Sequence, residues 1–155
     1  MSKFLGIRFV AFIICGLFVA SPMQAHLRFD SLLIELDHVI ANEKEYKSRK
    51  ENYLEKLKEQ LRNQNLSRES RYSIYQSLAG EYETFICDSA IVYANRALYE
   101  AAELKNTSWM NDSRIQLARG EAKAGMFSKT LDILNSIDRT QLNRHQLIDY
   151  YKTYI

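Results

Sequence analysis

After Pro22 the chain carries no further proline, and no later run alternates apolar and polar side chains. Proline is the strongest helix breaker, and period-two alternation marks a half-buried strand. A long stretch lacking both has one ready solution: helix after helix, cut by short polar breaks. Asp30 can cap a first helix carrying Leu32, Leu33, Leu36, Val39 and Ile40. Asn42 can cap a second, with Tyr46, Tyr53, Leu54, Leu57 and Leu61 on one stripe, ended by RNQNLSRES. A third is expected over about Arg68 to Phe85, bearing Tyr72, Tyr75, Leu78, Ala79, Tyr82 and Phe85. Asp88 is the expected cap of a fourth, where Ala90, Ala94, Ala97, Ala101 and Leu104 form a small-residue stripe. KNTSWMND reads as a loop. A fifth helix runs from Asp112 to Ala124 and is stopped by Gly125. Ser128 can cap a sixth bearing Leu131, Leu134 and Ile137, and a seventh begins near Leu142.

The first 25 residues read differently. Lys3 and Arg8 make a basic start, Phe9 to Ala20 is an apolar run of 12 residues, and Ser21-Pro22-Met23-Gln24-Ala25 supplies a small-residue exit. That order is the pattern of a secretory signal peptide. A spanning helix needs roughly 20 apolar residues, so the run is short for crossing. The expected organisation is a signal peptide over 1–25, cut after Ala25, and one helical domain over 26–155. The expected location is the periplasm, or the periplasmic face of the inner membrane if the leader stays on as an anchor. Membrane contact is expected only through that uncleaved leader. Cys15 lies in the apolar run without the context of a lipid-attachment cysteine.

Removing the leader's two basic residues leaves 19 Lys plus Arg against 19 Asp plus Glu. A balance near zero gives nucleic acid no uncompensated positive surface to bind. Cys87 is then the one remaining thiol, so the core must suffice without an internal disulfide.

Alanine-rich stripes facing large tyrosines suit antiparallel helix pairs, and internal spacing selects among such folds. Tyr75, Leu78, Ala79 and Tyr82 match the first helix of a tetratricopeptide repeat, and Ala90, Ala94 and Ala97 match the second. Further on, Leu117 and Ala118 occupy the Leu-small pair. Gly125, Phe127, Thr130, Leu134 and Ile137 fall at the turn glycine, turn aromatic and second-helix packing positions. Gly125 permits a tight turn, Phe127 is expected to plug the corner, and Thr130 and Leu131 begin the returning face. The match is degenerate: Ala79 replaces glycine, Thr130 replaces alanine, and Glu121 replaces an aromatic. The 40 residues from Ala90 to Thr130 imply a loop insertion around Lys105–Asn111. The expected fold is all-α: antiparallel helix hairpins stacked as a short tetratricopeptide-like α-solenoid.

LDHVIANEKEYKSRKENYLEKLKEQL, CDSAIVYANRALYEAAEL, GMFSKTLDILNSI and LIDYYKTYI together resemble a Bacteroidetes-type family of exported tetratricopeptide-like regulators and sensors, a domain of unknown function. The resemblance implies a longer protein, with a helical sensor region outside the cytoplasm, a membrane-spanning helix and a cytoplasmic regulatory part. This sequence ends at Ile155 with no second apolar span and no helix-turn-helix candidate. It is therefore expected to be the sensor-side fragment of such a regulator. The final helix is expected to expose Leu147, Ile148, Tyr150, Tyr151, Tyr154 and Ile155, a face that wants a polar capping helix.

Reactive chemistry finds little to stand on. Cys87 beside Asp88 at a helix start, with His38 elsewhere, is the nearest approach to a nucleophile and base, but nothing orients His38. His26, His38 and His145 lack metal-ligand spacing, and no glycine loop cradles a phosphate. No cofactor, metal or catalytic residue is expected. The charged stretch NEKEYKSRKENYLEKLKEQLRN alternates in sign, with Glu43–Lys47 and Glu45–Arg49 four apart, as a solvated helix face does. In a tetratricopeptide frame the groove-lining positions fall on Gln76, Glu83 and Thr84 in one repeat and on Asp112, Arg119 and Lys123 in the next. Such mixed polar residues suit a protein or peptide segment. The function implied is a non-catalytic protein- or peptide-binding module; a membrane-tethered structural subunit and a thiol enzyme using Cys87 are the alternatives.

Overall fold

The computed structural model describes the backbone of residues 22–155 and the side chains of residues 31–155. The expected leader lies outside the described residues apart from its last four, which open a helix. Every regular element among the described residues is helical: α1 Pro22–Ala41, α2 Glu43–Leu61, α3 Arg68–Tyr82, α4 Cys87–Glu103, α5 Thr107–Lys123, α6 Phe127–Asn135 and α7 Arg144–Tyr154. A 3-10 turn, Arg139–Gln141, lies between the last two. None of these helices is long and apolar enough to cross a membrane.

The chain divides into two units, Met1–Lys50 and Glu51–Ile155. In the first, α1 starts at Pro22, so Asp30 falls within the helix and does not cap it. Proline is tolerated at a first helical position because its missing N–H would be unpaired there anyway. Leu32, Leu33, Ile34, Leu36, Val39 and Ile40 are all exposed. Asn42 ends α1 as much as it starts α2. Its side-chain amide donates to the His38 carbonyl at 2.7 Å, while its own carbonyl accepts from Tyr46 N–H at 3.1 Å.

In the second unit the helices pack in sequential pairs: α3 on α4, α4 on α5, α5 on α6, and α7 against both α5 and α6. The alanine stripe of α4 is what makes this possible. Ala90 is 3% exposed, and Ala94, Ala97 and Ala101 are fully buried. Ala90 meets Leu54, Leu57, Ile74, Leu78 and Tyr82, while Ala94 meets Ala79 and Leu117. Ala97 and Ala101 meet Tyr72, and small side chains on one helix thus accept large ones from its neighbours. Gly120 serves the same closeness, since a Cβ there would stand 3.0 Å from Ile91 Cγ1. Tyr75, Tyr82 and Tyr93 stack between α3 and α4, with ring centroids 5.6 and 6.2 Å apart. The far end is closed by Ile115, Ala118, Leu134, Ile137 and Tyr150.

Several boundaries differ from expectation. KNTSWMND is not a loop: Asn106 Oδ1 accepts from Trp109 N–H at 3.1 Å and starts α5 at Thr107. The inferred insertion at Lys105–Asn111 is therefore extra helix, not extra loop. Asp88 does not cap α4, because the Ile86 carbonyl already accepts from Ala90 N–H at 3.1 Å. Its charge lies instead in the first turn, where the helix dipole favours it. Ser128 is likewise inside α6, whose first bond runs from Thr130 N–H to the Met126 carbonyl. α3 ends at Tyr82, short of Phe85.

Phe127 does not plug the corner; it is 67% exposed. Gly125 takes φ +78°, and Met126 N–H bonds the Glu121 carbonyl while Gly125 N–H bonds that of Ala122, a Schellman closure. That turn aims Phe127 outward, and Leu134 and Ile137 fill the space against Ile115 and Ala118. Thr130, standing where alanine is usual, is 4% exposed and satisfies its hydroxyl on the Met126 carbonyl at 3.1 Å. Leu131, expected on the returning face, is 44% exposed. On α7, Tyr150 is buried and Leu147 half-buried, while Ile148, Tyr151, Tyr154 and Ile155 are exposed.

Candidate functional site

The first helices of successive hairpins, α3, α5 and α7, stand side by side and enclose a cleft of about 430 Å³. Three of the residues expected on a groove, Gln76, Asp112 and Arg119, line it together. Glu83 and Lys123 form an ion pair at 2.9 Å, and Glu83 Oε2 also approaches Arg119 Nε at 3.4 Å, beyond the cleft lining. Lys123 borders a second groove of about 500 Å³ with Phe127 and Leu131. Thr84 lies exposed on the turn after α3, its hydroxyl donating to the Glu81 carbonyl.

The cleft's floor comes from α5. Trp109, Asp112, Gln116 and Arg119 recur every three or four residues and so share one face. Trp109 stacks on Tyr72 with centroids 4.2 Å apart and planes 2° from parallel. Gln76 Nε2 donates to Ser113 Oγ at 2.7 Å, and Gln116 Nε2 donates back to the Gln76 carbonyl at 3.2 Å, which ties α3 to α5. α7 is tied in through Gln146, which is 2% exposed. Asn143 and Gln146 cap the start of α7 reciprocally, and the Gln146 amide then reaches Asp112 Oδ1 at 2.8 Å and the Ser108 carbonyl at 2.9 Å. Asp149 completes the rim, 3.7 Å from Arg119 Nη1 and 3.5 Å from His145 Nδ1.

Burial holds the Asp112 carboxyl above its ordinary value, and the charge of Asp149 adds to this; the Gln146 hydrogen bond and His145 act the other way. Burial, followed by the nearby Asp112 charge, pushes the Tyr72 phenol up to about 12. Two buried polar atoms of cleft-lining residues make no hydrogen bond, Gln116 Oε1 and Arg119 Nε, but the charge of the latter is met by Glu83 Oε2 at 3.4 Å. An unpaired buried polar atom costs about 1–3 kcal/mol, so the Gln116 side-chain oxygen favours a donor that reaches it.

Sequence reasoning missed Tyr72, Trp109, Gln116, His145, Gln146 and Asp149 as cleft residues. Reading Trp109 as loop removed the helical register that aligns it with Asp112. The Asn143-to-Gln146 spacing was a legible capping signal. Cys87 is a free, half-buried cysteine at the first position of α4. His38 lies beside Asn42 in the first unit. Among the described residues no group of three or more His, Cys, Asp or Glu is arranged to hold a metal.

Stacked helical hairpins whose first helices share a polar cleft define a tetratricopeptide-type domain. The model of the SusR N-terminal TPR domain, from the Bacteroidetes regulator SusR, matches residues 40–155, and the chain belongs to that family. It is a regulatory tetratricopeptide domain, a fold built for binding. No curated protein and no solved structure matches it.

Proposed function

We propose that this domain is the non-catalytic, ligand-sensing part of a SusR-type regulator, and that it holds a peptide or protein segment in the cleft between α3, α5 and α7. The single observation that carries the reading is the cleft's construction. Its walls are fixed by an interlocked set of side-chain bonds through Gln76, Gln116 and Gln146, yet Gln116 Oε1 stays unpaired. A buried acceptor without a donor, on the face of α5 that lines the cleft, suits a backbone N–H of an extended peptide. The same proposal sets the domain outside the cytoplasm, on the support of the basic, apolar and small-residue order of residues 1–25. N-terminal sequencing of the protein from a periplasmic fraction tests that part, with a start at His26 expected.

For the binding reading, a random peptide library panned against the full chain is expected to enrich a related set of sequences. Ser73 is exposed and lines the cleft, so Ser73→Trp fills the space without disturbing the core. It is expected to abolish retention of those peptides, whereas Lys129→Ala on α6 leaves it intact. Enrichment unaffected by Ser73→Trp would place binding elsewhere on the molecule, and no enrichment would end the reading.

A further inference from the structure

Two acceptors in the cleft stand without a cationic partner among the described residues. One amide N–H of Gln76 goes to Ser113 and one of Gln116 to the Gln76 carbonyl, while the Gln146 amide serves Asp112 and Ser108. Gln116 is 8% exposed, and its Oε1 has no donor. Its orientation is not ambiguous, because the Gln76 carbonyl only accepts and so requires the amide nitrogen. One turn earlier, Asp112 receives a single hydrogen bond, from Gln146, and among the described residues no lysine or arginine stands at ion-pair distance from it. The guanidinium of Arg119 is taken by Glu83 and Asp149, and exposed His145 faces Asp149 at 3.5 Å. Beside the two acceptors, half-buried Trp109, backed by the buried Tyr72 ring, offers aromatic surface, to which cations and aliphatic stems are both attracted.

We propose that the cleft selects peptides carrying a lysine or arginine side chain, whose N–H groups donate to Asp112 and Gln116 Oε1 while its methylene stem lies along Trp109. This rests on the peptide-binding reading above. The upward displacement of the Asp112 titration agrees with it, since a cation seated there relieves the cost of keeping a half-buried carboxylate charged. A glutamate peptide would meet Asp112 and Asp149 and be repelled.

Trp109 is the chain's single tryptophan, so its emission reports on this cleft alone. The full chain is titrated with capped Ala-Ala-X-Ala-Ala peptides in which X is lysine, arginine, norleucine or glutamate. The lysine and arginine peptides are expected to change Trp109 emission saturably, at least about tenfold more tightly than the other two. Asp112→Asn and Gln116→Leu, each with helical circular dichroism unchanged, are expected to weaken lysine-peptide binding about tenfold. Norleucine binding as tightly as lysine would overturn the cation preference and leave the peptide reading standing. Lysine binding indifferent to both substitutions would overturn the assignment to this cleft. No binding by any peptide here, together with no enrichment from the library, would overturn both.

Discussion

Gly125 sits at φ +78° with open space where a Cβ would be, so its role is purely one of backbone conformation. Gly125→Ala is expected to cost about 1 kcal/mol, the ordinary penalty for a side chain in the left-handed region. The turn after α4 has the same construction without the glycine. Lys105 adopts φ 53°, Asn106 N–H bonds the Ala101 carbonyl, and Lys105 N–H bonds that of Ala102. Lys105→Gly is therefore expected to gain about 0.5–1 kcal/mol. Urea unfolding followed by circular dichroism checks both, and equal destabilisation by the two would show that backbone strain is not what these turns share.

Each hairpin rests on an asymmetry between its two helices. The stripe of α4 is small because it faces helices on two sides, whereas α6 carries Leu134 into a single corner. Leu134 is fully buried, so Leu134→Ala should cost about 2–5 kcal/mol in transfer and cavity terms. Phe127, the residue the repeat pattern assigns to that corner, is exposed, and Phe127→Ala should cost less than about 0.5 kcal/mol. Thermal unfolding of the two variants decides which residue holds the corner. The reverse ordering would restore the aromatic plug. Polar clamps supplement the apolar contacts between helices: Glu100 of α4 is 6% exposed and accepts from Arg68 and Arg71 of α3, both at 3.0 Å.

Across the second unit, the cleft is bought with stability. Asp112 titrates higher in the fold than its ordinary 3.8, so the folded state holds the proton more firmly than the unfolded chain does. Its contribution to stability is thus most favourable below the unfolded value and is lost as pH rises through the folded one. By pH 7 the penalty is fully present. Asp112→Asn is expected to raise the unfolding midpoint at pH 7 and to leave it nearly unchanged at pH 3.5. Comparing variant with parent at each pH cancels the carboxyls that act oppositely, such as Glu69 and Asp138, which hydrogen bonds hold below their ordinary values. A variant no more stable than its parent at pH 7 would show that Asp112 carries no burial penalty.

Helical content, the number of helices among the described residues and the alanine stripe were legible in the sequence because they depend on period and composition, which are local. Leu78, Ala79, Ala90, Ala94 and Ala97 could be assigned to the core from spacing alone, and Gly125 to its turn from conformational freedom. Caps were harder. Asp30, Asp88 and Ser128 all have capping side chains, but each lies inside a helix that starts earlier, at Pro22, Cys87 and Phe127. The cleft belonged to the tertiary structure. Gln76, Asp112 and Arg119 could be placed on a helix face, but bonds from Gln116 to the Gln76 carbonyl and from Gln146 to Asp112 span 40 and 34 residues. Such contacts have no period to betray them, because they depend on how closely α3, α5 and α7 pack side by side, a distance that local spacing does not encode.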